Sequence, residues 1–515
     1  MRTVDKIAEL QTRRQNIVNG DSSKIKKLHD QKKLTARERI SYLFDEGSFI
    51  ETDAFVQNRY KETGLKQADA LAEGVITGYG TVDGRLVYAY SQDITVLDGS
   101  VGEMHSKKIL KIMEMAKKMG APVVAVCDSE GARIQEGVSA LSGYAKIISQ
   151  SVMLSGVIPQ ITAVMGYCAG AEAFIPAMSD FVVMVDKNAK MFMTGPSVLS
   201  SLYDKKITDE DIADAVVHSK KTGTAHFNAS SDEECIDCVK KLLSYLPSNN
   251  LEDSPYIDTN DDINRVSDAL NDIITDNSEN VYDVKSIISQ IVDNGELFEV
   301  QKDYAENIVV GFARLNGSTI GIVANQALVL NGAIDINASD KAAKFIRFCD
   351  CFNIPLLTFT DTCGYAQCEK QEQNGIIRHS AKLIYAYTEA TVPKVNVIIG
   401  KAYGSAYITM CSKDSGADFV YAWPTAQISV MDPAGAANLV FADELSKSSN
   451  PVNDREKLIE KYRDEYANPY EGAKLGLVDD IIEPNATRPQ VIAAFEMLLS
   501  KREQRPGKKH GNIPM

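Results

Sequence analysis

Ile76-Thr77-Gly78-Tyr79-Gly80-Thr81-Val82-Asp83-Gly84 reads as a strand closing on an Asp-Gly turn. The same pattern returns as Val309-Val310-Gly311-Phe312-Ala313-Arg314-Leu315-Asn316-Gly317. Gly78/Gly311, Gly84/Gly317, Lys108/Lys341, Pro122/Pro355, Asp128/Asp361 and Gly131/Gly364 are each 233 residues apart. Pro159/Pro393, Gly166/Gly400 and Gly170/Gly404 are 234 apart. Nine matched positions with one single-residue insertion mark a tandem duplication of a unit of roughly 230 residues. The expected architecture is therefore two α/β domains, residues 1–255 and 256–515. Polar, acidic sequence from Ser248 to about Asp283 is the expected connection between them.

Within the first unit, Val75–Val82 and Leu86–Tyr90 predict a hairpin around Asp83-Gly84. A helix over about Glu103–Lys118, a buried strand Val123–Val126 and helical sequence to about Ser155 follow. Strand–strand–helix repetition with glycine turns points to a superhelical stack rather than a doubly wound nucleotide-binding sheet. Neither G-x-G-x-x-G nor a Walker A sequence is present. Residues 1–45 predict helix. Lys24, Lys26, Lys27, Lys32 and Lys33 form a basic cluster there, suited to solvent or to a phosphate-bearing ligand.

Gly400-Lys401-Ala402-Tyr403-Gly404-Ser405-Ala406-Tyr407 follows the apolar run Val395–Ile399 and precedes Ile408-Thr409-Met410, which continues a helix. A strand, a glycine turn and a helix start place unpaired backbone N–H groups at one point, where they stabilise developing negative charge. Gly166-Tyr167-Cys168-Ala169-Gly170-Ala171 is the first-half copy. Each half thus offers two glycine turns: Gly131-Ala132 with Gly170-Ala171, and Gly364-Tyr365 with Gly404-Ser405-Ala406. No G-x-S-x-G, H-E-x-x-H or Cys–His pairing accompanies them. His105 and His379 read as surface or supporting residues, and Glu130 and Glu136 as acids, bases or helix-start carboxylates. Such a set suits enolate chemistry in which the enzyme supplies oxyanion holes and a cofactor moves the group.

A formal net charge of −15 argues against nucleic acid as a partner. No apolar run approaches the roughly 18 residues needed to span a bilayer. The polar N-terminus carries Asp5, Glu9 and Asp21 and resembles neither a signal nor a transit peptide, so a soluble cytoplasmic protein is expected. Nine cysteines, some in apolar segments (Cys127, Cys411), read as reduced thiols. Cys235-Ile236-Asp237-Cys238 lacks a second ligand pair, and the Cys349, Cys351, Cys363 and Cys368 group reads as packing. No metal site is expected.

Several stretches resemble the carboxyltransferase family of biotin-dependent acyl-CoA carboxylases. They include Leu34-Thr35-Ala36-Arg37-Glu38-Arg39-Ile40, Tyr90-Ser91-Gln92-Asp93 with Gly99-Ser100, and Gly131-Ala132-Arg133-Ile134-Gln135-Glu136-Gly137. Ile308–Phe312, Asn374–His379, Ala390–Lys394, Ala422–Ala426 and the tail Lys508–Pro514 continue the resemblance over nearly the whole chain. The resemblance is to the propionyl-CoA carboxylase beta and methylmalonyl-CoA decarboxylase alpha type. It implies two crotonase-like domains and a carboxyl group moved between carboxybiotin and the α-carbon of a short acyl-CoA. By resemblance, the hole at Gly170 and Ala171 faces the CoA thioester, and the hole at Ser405 and Ala406 faces the biotin ureido oxygen. Gly131, Ala132, Arg133, Gly166, Gly364, Tyr365, Gly404 and Ile408 are the implied substrate-binding residues. The family implies a homohexamer, with sites between the N-half of one subunit and the C-half of another.

No A-M-K-M sequence and no ATP-binding glycine-rich domain occur, so biotin is expected on a separate carrier charged elsewhere. The implied partners are a biotin carboxyl carrier protein with a biotin carboxylase subunit, or membrane decarboxylase subunits. The chain departs from the family at Glu130-Gly131 (usually Gly-Gly) and at Asp361-Thr362-Cys363-Gly364-Tyr365, which lacks the usual proline. It departs again at Ser405, usually Gly, and at Ile408, commonly Asp in propionyl-specific members. A methylmalonyl-CoA decarboxylase transferase, a biotin-independent crotonase-type hydratase or isomerase with Glu130 as base, and an inactive assembly scaffold are the alternatives.

Overall fold

The computed structural model describes residues 2–57, 71–274 and 282–515. The chain splits into two compact units, Met1–Glu252 and Asp253–Met515. The acidic stretch expected as a connection falls mostly in the second unit, where Leu270 is buried in the core with Ile287 and Ile291; its residues 275–281 lie outside the described residues.

In the first unit the strands are β1 (Ile50–Thr52), β2 (Val75–Val82), β3 (Arg85–Gln92), β4 (Val123–Ser129), β5 (Gln160–Ala169), β6 (Phe181–Val185), β7 (Lys190–Phe192) and β8 (Phe227–Ala229). They form one sheet in the order β1-β2-β3-β4-β5-β6-β8, with β7 paired to the far end of β5. The second unit builds the same sheet from β9 (Phe298–Val300), β10 (Ile308–Leu315), β11 (Ser318–Asn325), β12 (Leu356–Thr362), β13 (Lys394–Tyr403), β14 (Phe419–Ala422), β15 (Gln427–Ser429) and β16 (Asp480–Ile481). Strand order follows chain order without reversal. Each strand–helix turn therefore stacks on the last, as a superhelix requires.

The offsets hold strand by strand. β2, β3 and β4 recur as β10, β11 and β12 with both ends displaced by 233 residues, and β5 recurs as β13 displaced by 234. The hairpins close on Asp83 (φ 50°) with Gly84 (φ 75°), and on Asn316 (φ 47°) with Gly317 (φ 73°). Positive φ at both turn residues suits the twist of the flanking strands, which is why Asp-Gly and Asn-Gly sit there.

The Glu103–Met119 helix buries Ile109, Ile112, Met113 and Ala116, the i, i+3, i+4, i+7 stripe of a helix laid on a sheet. Every residue of β4 and of β12 is buried, as expected of parallel strands covered on both faces. Residues 1–45 are helical in three pieces, Thr3–Asn19, Ser22–Asp30 and Ala36–Leu43. The breaks have local causes. Gly20 has φ 53°, Asp21 caps the second helix by accepting from Ser23 and Lys24 N–H, and Thr35 forms a capping box with Glu38.

Candidate functional site

Among the described residues each sheet shows one register shift, and it makes the turn. Cys127 pairs with Val164 and Ser129 with Cys168, so β5 spends four residues where β4 spends two. β12 and β13 do the same, Thr360 with Ile398 and Thr362 with Ala402. An aspartate fills each bulge: a Cβ built on Gly166 would lie 1.7 Å from Asp128 Oδ1, and one on Gly400 2.6 Å from Asp361 Oδ1. These glycines are required by close approach. Asp128 accepts from the buried Arg39 at 2.9 Å, while Asp361 accepts from Tyr282 Oη at 2.5 Å and from Lys401 N at 2.8 Å.

Beyond the bulge the strand runs into a helix start. Gly170 (φ 62°) opens a 3₁₀ turn over Gly170–Ala173 that leads into the Phe174–Met178 helix. Gly404 (φ 60°) opens the Gly404–Thr409 helix. The N–H groups of Gly170, Ala171, Ser405 and Ala406 lie in first turns and so have no intrahelical acceptor. Ser405 is absent from the positive-φ positions and sits in the helix, so its side chain costs the turn nothing.

The other glycine turn of each unit is a single parallel bridge. Val101 donates to Gly131 O at 2.9 Å and accepts from Arg133 N at 3.0 Å, so the residue between, Ala132, keeps its own N–H outside the bridge. Ile334 binds Gly364 O at 3.0 Å and Ala366 N at 2.9 Å, leaving Tyr365 in the equivalent position. Ser129 Oγ accepts from Gly131 N at 3.1 Å and Thr362 Oγ1 from Gly364 N at 3.2 Å. Gly131 has φ 103° and Gly364 φ 126°. In the first unit the two turns adjoin, since a Cβ on Gly131 would lie 3.0 Å from Ala169 O. In the second, Tyr365 Oη bonds Thr409 Oγ1 at 3.0 Å, tying the bridge to the Gly404–Thr409 helix, on which Ile408 is exposed.

Arg133 stands apart from these open positions. It is buried, with Nη1 donating to Glu73 at 2.6 Å and Glu136 at 2.9 Å, and Nη2 to Ser100 O at 2.9 Å. Glu136 also accepts from Glu103 N at 2.6 Å, the helix-start role weighed for it from sequence. His105 is buried rather than on the surface: Nδ1 binds Glu73 O at 2.8 Å, and burial together with the nearby Arg133 charge pushes its pKa well below the ordinary value. His379 binds Asp340 at 2.8 Å. Glu130 is exposed beside Gly131. Cys127 and Cys411 are buried free thiols.

Sequence reasoning passed over Ser129, Thr362, Val101 and Ile334, although all four obey the 233-residue offset. It also passed over Glu172, which is fully buried one residue beyond Ala171 and accepts from Tyr144 Oη at 2.6 Å. Glu172 has no acidic counterpart in the second unit, so the repeat could not mark it. Among the described residues no helix is long and apolar enough to cross a membrane.

The chain matches the carboxyl transferase domain over residues 27–513. It is 52% identical to methylmalonyl-CoA decarboxylase subunit alpha of Veillonella parvula, covering 96% of each chain. It is 49% identical to the propionyl-CoA carboxylase carboxyltransferase subunit of Haloferax mediterranei, covering 99% of each. The crystal structure of the transcarboxylase 12S hexamer, solved with methylmalonyl-CoA and methylmalonic acid bound, superposes with a TM-score of 0.96. It is 45% identical over 100% of this chain and 99% of that one.

Proposed function

The chain belongs to the carboxyl transferase family, and on that premise we propose that it moves a carboxyl group between biotin on a separate carrier and the α-carbon of propionyl-CoA or methylmalonyl-CoA. It is an acyl-CoA carboxyltransferase built on two crotonase-like units. The observation that carries the proposal is the pair of equivalent turns, each joining a bridge amide to helix-start amides.

In the first unit, Ala132, Gly170 and Ala171 N–H hold the thioester oxygen as negative charge develops on it. Donors fixed by the fold act without reorganising, and loss of one typically costs about 10²–10³ in rate. In the second unit, Tyr365, Ser405 and Ala406 N–H would hold the ureido oxygen of the biotin. The residues there fit that group: Ser405 is exposed, and the space a Cβ on Gly364 would enter is empty to 4 Å. Biotin, when bound, would give up a carboxyl group and take the α-proton in exchange, or the reverse, which removes the need for a side-chain base. Bridges at Val101 and Ile334 fix the strand segments that carry the Ala132 and Tyr365 amides. The aspartates in the bulges fix the strand ends from which the helices start.

Identity to a methylmalonyl-CoA decarboxylase alpha subunit favours a second reading, the same half-reaction run toward loss of the carboxyl group. Its partners would be membrane decarboxylase subunits, in place of a biotin carboxylase subunit acting through the biotin carboxyl carrier protein. In either case we place the chain in the cytoplasm, as a homohexamer. Exposed Ile134 and Val138 beside the first turn, and Val430 beside the second, support a covered face.

The test is a panel of acetyl-, propionyl- and methylmalonyl-CoA with free biotin and purified chain. Transfer of carboxyl from methylmalonyl-CoA to biotin is the expected result. Exchange with none of the three overturns the proposal. Enoyl-CoA turnover that persists in avidin would replace it with hydratase chemistry.

A further inference from the structure

Glu172 follows Ala171 directly in sequence, and the equivalent position 234 residues later is Ala406. The same helix-start position thus carries a methyl group in the second unit and a carboxyl group in the first. That carboxyl has no solvent exposure. Tyr144, from the Val138–Leu154 helix, donates to Oε2 at 2.6 Å. From the sheet it is faced by Tyr90 and Gln92 of β3, Cys127 of β4 and Cys168 of β5. Glu172 Oε1 and Gln92 Nε2 are both buried without a hydrogen bond of good geometry. Among the described residues no lysine or arginine pairs with it.

We propose that Glu172 is a positioning residue for the first oxyanion hole, holding the turn as a neutral carboxylic acid and weakening the hole when it ionises. The chemistry follows from its place. A carboxylate beside Ala171 would oppose the negative charge that the Gly170 and Ala171 amides stabilise. Inside the protein that repulsion is poorly screened. The surroundings favour the acid form: burial raises the Glu172 pKa, against the smaller pull of Tyr144, Gln92 and Cys127 toward the charged form. Tyr144 joins the carboxyl to the Val138–Leu154 helix, which packs against the Gly170–Ala173 turn. The second hole has no such dependence, because Ala406 cannot titrate. The inference rests on the carboxyltransferase reading above.

The experiment measures carboxyl transfer from methylmalonyl-CoA to free biotin by the full chain between about pH 6 and 10. It compares the unsubstituted protein with Glu172→Gln and Tyr144→Phe. The expected result is a fall in kcat of on the order of tenfold or more toward high pH, with KM for the acyl-CoA little changed. Glu172→Gln keeps the neutral shape and should abolish the fall. Tyr144→Phe removes a donor that favours the carboxylate, so it should move the fall to higher pH. A Glu172→Gln profile parallel to that of the unsubstituted chain overturns the inference. So does a Tyr144→Phe fall that stays in place or moves to lower pH, which decides the matter should Glu172→Gln fail to fold. Absence of transfer by the unsubstituted chain removes the carboxyltransferase reading, and this inference with it.

Discussion

Asp128 Oδ1 lies 1.7 Å from where a Cβ on Gly166 would stand, so the two residues occupy one bulge as plug and socket. Asp361 and Gly400 repeat the relationship with a looser fit of 2.6 Å. The pairing explains why glycine and aspartate recur together in both units; the 233/234 step falls between them in sequence, before Pro159 and Pro393. The bulge diverts the last residues of β5 and β13 from one neighbour to another, β6 to β7 and β14 to β15, and aims the helix start that follows.

Gly166→Ala should therefore be the more damaging of the two glycine substitutions. It must displace Asp128 from Arg39, at a cost of about 3 kcal/mol or more, whereas Gly400→Ala should cost about 1–3 kcal/mol. Urea denaturation of both variants checks the order. Equal stabilities would contradict the plug-and-socket account.

Ser405 departs from the usual glycine, yet only its backbone N–H has a role in the proposed second hole. Ser405→Ala and Ser405→Gly should keep transfer to biotin within a few-fold of the unsubstituted chain. Ser405→Pro deletes the N–H and should lower kcat by about 10²–10³. Acyl-CoA affinity, measured by calorimetry, should be unaffected in all three.

Arg133 reads from sequence as a substrate contact, but the fold encloses it between Glu73 and Glu136. Arg133→Met leaves two buried carboxylates without their cation and should cost about 3–5 kcal/mol in stability. Lysine should rescue poorly, because one ammonium does not reproduce the fork that also reaches Ser100 O. Thermal unfolding of the variants reports this. A loss confined to KM for acyl-CoA, with unchanged Tm, would restore the binding role.

Lys108 and Lys341 cap backbone carbonyls inside the two units. Lys108 Nζ donates to Ala72 O at 2.8 Å and Val75 O at 2.5 Å. Lys341 Nζ reaches Tyr304 O at 2.7 Å and Ile308 O at 2.8 Å. Burial lowers both pKa values from 10.5 to about 8. Between those values the unfolded chain binds more protons than the folded one, so these groups make stability rise with pH across that window. The rise should be on the order of 3 kcal/mol per lysine. Lys341→Met should lower stability at pH 7, where carbonyls lose their donor, and should remove its share of the rise. Denaturant titrations at pH 7 and pH 9.5 measure both effects.

The repeat, the hairpins and the superhelical order of strands were all legible in the chain. They depend on local causes: Asp-Gly and Asn-Gly turns, apolar runs of strand length, and glycines that recur at one offset. The candidate turns were legible for the same reason, since Gly170 and Gly404 must adopt positive φ and few other residues do so cheaply. What the sequence could not rank was which polar side chains face the turns. Arg133 and Glu136 lie close in sequence to Gly131, and His105 sits on the preceding helix, yet their charges and rings are spent on Glu73, Glu103 and one another's surroundings. Glu172, overlooked in sequence, ends buried against Tyr144 in the turn that follows Gly170. The physical reason is that a backbone turn is set by the few residues that make it. The ionisation state and direction of a side chain are set by whatever distant strands and helices bury against it, and only the tertiary structure brings Tyr144, Cys127 and Glu172 to one place.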